Sequence, residues 1–395
     1  CATYRAAEEE IQSTRGRANM LRQAMSGSLD ENELFEDEFV EEVLDLCIGC
    51  KGCAKDCPSG VDMAKMKAEI THEYHQRNGS SFRDKLFANV TTVLKLGSKF
   101  APLSNLAQQV PGSGILQEKL LGIARERTLP PFHRRSFVDW FEQRGGAAIP
   151  VDEATHRVLL FPDTYTNYNH PEAGQAAVNA LESLGVHIQI PDNVTGSGRP
   201  PHSKGFLEKA RESAQTNINA LSPRIADGWD VVVVEPSDAV MFQRDYLDLL
   251  SGSDVERVAE NTYGVMEYID TFRLLADAGH TNMVNGTAPS LTYHGHCHQK
   301  STKKDHHTVG VLRRAGYEVD PLDSTCCGMS GSFGYEAEHY SMSQAIGEIL
   351  FDQIDDSDGD VVIAPGASCR SQIGDRPDGD DPPHPVELLA DAVTE

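Results

Sequence analysis

The stretch Cys47-Ile-Gly-Cys50-Lys-Gly-Cys53-Ala-Lys-Asp-Cys57-Pro58 decides how the rest of this 395-residue chain is interpreted. Its cysteines follow the pattern C-x2-C-x2-C-x3-C-P, which is typical of iron–sulphur ligands. The short steps let thiolates from one loop surround several corners of a cubane. Zinc sites usually separate two cysteine pairs by roughly 12 to 20 residues, so a zinc-binding interaction module is the less favoured alternative. We therefore predict a 4Fe–4S site at this loop.

Helices are predicted on both sides of this loop. The residues over 31–46 show an apolar pattern of helical spacing that leads directly into Cys47. A second helix is predicted after Pro58, with Ser59 or Asp62 as its N-cap. The apolar residues of the first pattern are Phe35, Phe39, Val43 and Leu46.

A second group of cysteines lies near the C-terminus, in His294-Gly-His296-Cys297-His298, in Cys326-Cys327-Gly328 and at Cys369. Adjacent cysteines in a regular strand point to opposite faces, so Cys326 and Cys327 can converge only in a turn. We predict that these four cysteines hold another 4Fe–4S cluster. Two buried thiols beside an inert pair, or a vicinal disulphide, remain alternatives. If 294–298 is a strand, the histidines share one face, and His296 or His298 is an alternative metal ligand.

The chain from residue 151 onwards contains an internal repeat. Strands are predicted at 157–162, 186–190 and 231–234, and again at 290–294, 317–319 and 361–364. In each copy a helix ends at a glycine, Gly185 in the first and Gly316 in the second. Because the elements match in order and spacing, we predict duplicated α/β units.

The first repeat has no cysteine. We therefore expect it to bind no metal and to serve as a scaffold or an interface. Glu235, Arg199 and Asp163 are expected to make its structural or interface contacts.

Composition excludes several classes of function. Sixty Asp and Glu against 35 Lys and Arg give a net charge of −25, which makes nucleic acid an unfavourable partner. Acidic tracts at 352–360 and 375–381 indicate adaptation to a salty cytoplasm. No apolar run is long enough to cross a bilayer, so any membrane contact is expected to be peripheral, at the inner face. The clustered cysteines indicate a reducing, cytoplasmic location.

Nearly the whole chain resembles the C-terminal half of FAD-linked oxidases that are fused to iron–sulphur domains, of the D-lactate and D-2-hydroxyacid dehydrogenase type. The motifs that carry this resemblance are Pro58–Met63, Tyr263–Tyr268, His294–Lys300 and Cys326–Glu336. It implies an α/β multi-domain protein with an alpha-helical ferredoxin-like domain at 1–78, a helical connector at 79–150, a cysteine-free CCG-like repeat at 151–284 and a cluster-binding CCG repeat at 285–395. The CCG repeats resemble those of heterodisulphide reductase.

The resemblance also implies how the cysteines are shared. Cys1 to Tyr4 and Ser13 to Ala18 resemble the segment that closes the first of two ferredoxin motifs, although Ala2 replaces the usual proline. In two-cluster ferredoxins the fourth cysteine of a run ligates the other cluster. Cys1 is then the fourth ligand beside Cys47, Cys50 and Cys53, and Cys57 belongs to a cluster completed upstream.

The function implied is electron transfer within an FAD- and iron–sulphur-dependent oxidoreductase, from an upstream flavin domain or flavoprotein subunit to a quinone or another acceptor. The site that oxidises the substrate is expected outside this chain, so no catalytic residue is assigned. The alternative is a separate iron–sulphur subunit of the anaerobic glycerol-3-phosphate dehydrogenase or glycolate oxidase type.

Overall fold

Helices enclose the first cysteine loop. The computed structural model describes residues 1–28, 32–110, 112–280, 283–284, 288–376, 379 and 381–394. The N-terminal helices are α1 (Ala2–Ala7), α2 (Thr14–Met25), α3 (Asp37–Phe39), α4 (Gly52–Asp56) and α5 (Met63–Asn78), with 3-10 turns at Glu10–Gln12 and Glu33–Phe35 and a π-helix at Val40–Asp45. Asp62 is the N-cap of α5, since its carboxylate accepts the backbone N–H of Ala64 at 2.9 Å.

The prediction of a single regular helix over 31–46 is wrong in its details. Residue 31 lies outside the described residues, and the rest is a 3-10 turn, the short α3 and a π-helix. The wider π turn places Leu44, five residues after Phe39, fully in the core. Leu46 is only partly buried. The cysteine loop also contains the short helix α4, which was not predicted.

The connector is helical and packs on its neighbours. The Thr91 hydroxyl bonds that of Thr164 at 2.9 Å, and the Arg127 guanidinium donates to the Gly334 carbonyl at 2.7 Å. Among the described residues, no helix is long and apolar enough to cross a membrane. The connector helices are α6 (Phe82–Ala88), α7 (Val90–Lys99), α8 (Leu103–Gln109), α9 (Ser113–Leu121) and α10 (Phe137–Gln143).

A four-stranded parallel sheet follows, in the order β2-β1-β3-β4. Its strands are β1 (His156–Phe161), β2 (Val186–Gln189), β3 (Asp230–Val233) and β4 (Thr262–Gly264). The helices are α11 (Thr164–Tyr168), α12 (Pro171–Ser183), α13 (Arg199–Ser203), α14 (Leu207–Ala226), α15 (Pro236–Val240), α16 (Tyr246–Leu249), α17 (Ser253–Glu260), α18 (Val265–Thr271) and α19 (Leu274–Asp277), with a π-helix at Met241–Asp245. Strand β4 was not predicted.

The second sheet is also parallel and has the order β6-β5-β7. Its strands are β5 (Leu291–Tyr293), β6 (Val319–Pro321) and β7 (Val361–Ile363). The helices are α20 (Cys297–Ser301), α21 (His306–Ala315), α22 (Tyr340–Asp355), α23 (Ala367–Gly374) and α24 (Pro385–Thr394), with 3-10 turns at Phe333–Tyr335 and Ala337–His339.

The two sheets share a continuous apolar core. Buried residues from both, including Leu160, Leu181, Leu291 and Leu389, belong to one packed cluster. In the first sheet β1 lies between β2 and β3, and in the second sheet β5 lies between β6 and β7. Parallel strands end at the same edge of a sheet, so loops that follow them come together there. The chain is thus a mixed α/β protein whose sheet edges gather polar and cysteine-bearing loops.

Candidate iron–sulphur sites

Four cysteines surround one small cavity near the N-terminus. The residues that line this cavity include Cys1, Cys47, Cys50 and Cys53. Cys57 does not belong to the described residues that line it. The Thr3 hydroxyl donates to the Leu46 carbonyl at 2.9 Å, which holds the N-terminal segment beside the cysteine loop. We call these four thiols the N-terminal site.

Hydrogen-bond donors point at the sulphurs of this site. The Met63 backbone N–H donates to Cys53 Sγ at 3.4 Å, and Arg17 Nη1 donates to Cys1 Sγ at 3.6 Å. Burial, together with the nearby Cys297 thiol, raises the pKa of the Cys50 thiol to about 12. Protonated thiols are the expected state without metal, because a buried thiolate needs a cation.

Three basic side chains lie in or beside the cysteine loop that begins at Cys47. Arg17 is 1% exposed and also donates to the Val43 carbonyl at 2.9 Å. The Lys67 ammonium donates to the carbonyl of Cys47 at 2.9 Å. Lys51 lies between two cysteines, and its ammonium is 2.8 Å from Asp62 Oδ2 and from Asp245 Oδ1. Sequence reasoning missed all three roles, although Arg17 lies in a segment that carries the family resemblance.

Cys57 occupies a different position. It is partly exposed, and backbone N–H groups of Val61, Ser59 and Gly60 hydrogen bond to its sulphur and lower its pKa. The lowered pKa favours the thiolate form of Cys57, which lies outside the N-terminal site.

The C-terminal cysteines come together. The Cys326 thiol is in hydrogen-bonding contact with those of Cys297 and Cys327, and Cys327 also contacts Cys369. All four are free thiols, so the described chain has no vicinal disulphide at 326–327. We call these four cysteines the C-terminal site.

A histidine that was not selected from the sequence joins this group. The ligand atoms of His294, Cys327 and Cys369 lie within 4.8 Å of one another. His294 is fully buried, and its Nδ1 hydrogen bonds with Ser324 Oγ at 2.7 Å. Burial lowers the pKa of His294, and contact with the Cys327 thiol partly offsets this effect. Lys300 donates to the Ser324 carbonyl at 2.7 Å and so fixes the loop that leads to Cys326.

The alternating-strand interpretation of 294–298 is wrong. Strand β5 ends at Tyr293 and α20 begins at Cys297, so the histidines do not share a strand face. His296 Nδ1 accepts the backbone N–H of His298 at 3.2 Å, as an N-cap does. The His298 Nε2–H donates to the Gly49 carbonyl at 3.0 Å, in the N-terminal cysteine loop. His298 therefore connects the two cysteine loops.

The two sites adjoin each other. Ile48 and Cys326 belong to one apolar cluster, against which Cys50 and Cys297 pack. The pKa of Cys50 responds to Cys297, which requires a short distance between these thiols. Clusters bound at the two sites would be separated by packed apolar side chains and not by solvent.

The first sheet contributes buried carboxylates to the same region. Glu235, after β3, accepts the Ala367 backbone N–H at 2.9 Å, at the start of the helix that carries Cys369. Asp163, after β1, accepts the Thr166 N–H at 2.9 Å, and burial together with Glu235 raises its pKa to about 6. Arg199 Nη1 is 2.7 Å from Asp245. Asp163 and Arg199 therefore make structural contacts within the first repeat, and Glu235 makes an interface contact with the second.

The donor chemistry at both sites fits iron–sulphur clusters. Each set offers four sulphur donors, and N–H groups or cations lie beside them. Four ionised thiolates would repel one another in these buried positions unless a cation were bound.

Comparisons with known proteins agree with this chemistry. Residues 1–62 match a 4Fe-4S dicluster domain, and residues 291–374 match a cysteine-rich domain. One subunit of the anaerobic glycerol-3-phosphate dehydrogenase of Escherichia coli (strain K12) is 28% identical over 316 residues, which cover 79% of this chain and 78% of that protein.

Two further relatives are larger or smaller than this chain. D-2-hydroxyglutarate dehydrogenase of the same strain is 26% identical over 366 residues, covering 90% of this chain and 35% of that protein. Lactate utilization protein A of Exiguobacterium sp. strain AT1b is 28% identical over 244 residues, covering 60% of this chain and 97% of that protein. The predicted resemblance is confirmed: the chain is an iron–sulphur electron-transfer protein, part of an oxidoreductase and homologous to the iron–sulphur half of FAD-linked oxidases.

Proposed function

We propose that this chain relays single electrons from a flavin to an acceptor through two adjoining 4Fe–4S clusters. The observation that carries the proposal is the packing of Cys50 and Cys297 against one apolar cluster, which joins the two cysteine sets. Bound clusters would supply one-electron redox chemistry, which a two-electron flavin donor requires in order to feed a chain of single-electron carriers.

Cys1, Cys47, Cys50 and Cys53 hold one cluster in this proposal, and Cys57 ligates a cluster completed upstream. The shared cavity of the first four and the separate position of Cys57 support this division. Cys297, Cys326, Cys327 and Cys369 hold the second cluster. Their mutual contacts support this set, and His294 acts beside it as a hydrogen-bond donor to sulphur.

The protein's own residues orient and insulate the sites. Arg17, Lys51 and Lys67 place positive charge around the N-terminal loop. His298 and Lys300 fix the two loops relative to each other. The apolar contacts between the sites exclude water, which strengthens these charge interactions.

The electron donor is proposed to be FAD in an upstream domain of a D-2-hydroxyacid dehydrogenase, and the acceptor a quinone or a similar carrier. The 90% coverage of this chain by D-2-hydroxyglutarate dehydrogenase supports this arrangement. We propose the domains 1–78, 79–150, 151–284 and 285–395, of which the last two arose by duplication, as their matching strand orders suggest. The location is proposed to be cytoplasmic, with peripheral contact at the inner face of the membrane.

A separate iron–sulphur subunit is the second candidate. The match to the anaerobic glycerol-3-phosphate dehydrogenase polypeptide spans 78% of that protein, which favours this form. The native open reading frame distinguishes the two, because a flavin domain continuous with Cys1 is required by the first and absent from the second.

The ligand assignment is tested by comparing Cys1→Ser with Cys57→Ser in anaerobically purified protein. We expect Cys1→Ser to lose one four-iron cluster by iron analysis and electron paramagnetic resonance. Cys57→Ser, the matched control, should keep both clusters of this chain. If Cys57→Ser loses the N-terminal cluster and Cys1→Ser retains it, the crossed arrangement is wrong.

A further inference from the structure

The connector exposes an unusual number of large apolar side chains. Of the fourteen exposed large hydrophobic residues in the described chain, eight lie between residues 96 and 120, on α7, α8, α9 and the turns between them. Each is between 51% and 69% exposed. We call this set the apolar connector surface: Leu96, Phe100, Leu103, Leu106, Val110, Ile115, Leu116 and Leu120.

The helices that carry these side chains lie together, since the Ser104 hydroxyl of α8 donates to the Gly97 carbonyl of α7 at 2.8 Å. The Leu103 N–H donates to the Phe100 carbonyl at 2.9 Å, which joins the end of α7 to the start of α8. Helix α8 packs against α9. The opposite face of α7 is already used, because Leu94 is buried and Thr91 bonds Thr164. Exposed apolar side chains concentrated on neighbouring helices in this way mark an interaction site.

The charge around this surface differs from that of the rest of the molecule. Residues 90–135 contain seven Lys and Arg against two Asp and Glu, in a chain of net charge −25. Lys95, Lys99 and Lys119 are exposed, and each precedes an exposed apolar residue of the connector surface. Glu118 is half-buried and lies 3.6 Å from Arg125 Nε. The exposed charges on α7 and α9 are therefore lysines.

We propose that the apolar connector surface docks onto the headgroup region of an anionic lipid bilayer. Helices that lie in a membrane interface combine an apolar face with flanking lysines, whose stems extend along the lipid while the ammonium groups meet phosphates. Anionic lipid attracts such lysines, whereas it repels the acidic remainder of the protein, so the protein meets the membrane in one orientation. A partner protein with an acidic rim is the competing occupant.

The inference deepens the proposed function, since it places the membrane contact on particular helices. It rests on exposed side chains that touch neither cysteine site. Vesicle binding is measured without electron transfer, so docking and relay can fail independently.

The test is flotation of the full-length protein with vesicles of phosphatidylglycerol mixed with phosphatidylcholine, or of phosphatidylcholine alone. We expect binding to the mixed vesicles. The triple variant Phe100→Ser, Leu103→Ser and Leu106→Ser should abolish it. The matched control, Met25→Ser, Val151→Ser and Leu247→Ser, changes three exposed apolar residues elsewhere and should bind as the wild type does.

A second variant tests the lysines. Replacing Lys95, Lys99 and Lys119 by Gln should weaken binding on the order of 100-fold at low salt. This loss should shrink as salt rises, while the apolar contribution persists.

Three results would overturn the proposal. The wild type could stay unbound with both kinds of vesicle, or the apolar triple variant could bind as the control does. Alternatively, without lipid, light scattering could show that the apolar triple variant dissociates a dimer or loses a bound partner, and the surface would then be a protein interface.

Discussion

Lys51→Met is the substitution that best tests how the N-terminal loop is held. The Lys51 residue is 5% exposed, and its ammonium is 2.8 Å from Asp62 Oδ2 and from Asp245 Oδ1. Removing one partner of a buried ion pair costs about 3–5 kcal/mol. Asp245 retains Arg199 at 2.7 Å, and the Asp62 side chain is 19% exposed and can regain water. We therefore expect a loss of about 2–3 kcal/mol in unfolding free energy.

Lys65→Met is the matched control. Its ammonium is 2.6 Å from Asp248, three residues after Asp245, but these side chains are 44% and 42% exposed. An exposed pair contributes less than about 1 kcal/mol. Thermal unfolding of the anaerobically purified proteins should show a clearly lower Tm for Lys51→Met than for Lys65→Met. Equal shifts in the two variants would refute the argument that this buried pair holds the loop.

The same variant has an electrostatic consequence. Lys51 lies between Cys50 and Cys53, so its loss removes positive charge beside the proposed N-terminal cluster. Reduction adds an electron, so the midpoint potential should fall in Lys51→Met and stay unchanged in Lys65→Met. A lower Tm with an unchanged potential would show that Lys51 acts on the fold alone.

Two further predictions concern histidines. Burial lowers the pKa of His339, but hydrogen bonds to Asp45 and Glu336 outweigh burial and raise this pKa to about 9. The stabilising contribution of His339, at most about 3 kcal/mol, should be complete below about pH 6.5 and lost as the pH rises through 9. Thermal unfolding across this range should show that the wild type and His339→Gln converge at alkaline pH, and a constant difference would contradict the assignment. At the C-terminal site, His294→Ala should keep its iron but shift the midpoint potential of that cluster, whereas Cys369→Ser should lose the iron. Iron loss in His294→Ala would make His294 a ligand.

The parts that the sequence predicted well are those in which one residue type has few possible roles. Iron–sulphur chemistry restricts the spacing of cysteines, so both groups of thiols could be identified directly. Gly185 and Gly316 have φ angles of 82° and 112°, which few other residues adopt, and they correctly marked the ends of helices in the two repeats. Strand β3 followed from the run of four valines at 231–234.

Other features depend on contacts that no local pattern contains. A π-helix at Val40–Asp45 lies where a regular helix was predicted, and a helix begins at Cys297, where an alternating strand over 294–298 was considered. Tertiary packing decides which structure such segments adopt, because residues differ little in their intrinsic helix and strand propensities. Lys51 and Asp245 are 194 residues apart in the chain, and His298 and Gly49 are 249 apart. A lysine or histidine at these positions carries no sequence signal for its partner.

The cysteine-free repeat gains a physical role from these long-range contacts. Loops of the first repeat lie against both cysteine-bearing parts of the chain. They present buried carboxylates to them. Asp245 receives Lys51 from the N-terminal site, and Glu235 receives the Ala367 N–H from the helix of the C-terminal site. Both carboxylates are at least nine-tenths buried, so each contact is strong and costly to break. In the proposed arrangement, the second repeat would supply cysteines for a cluster, and the first would hold the two cysteine loops in place relative to each other.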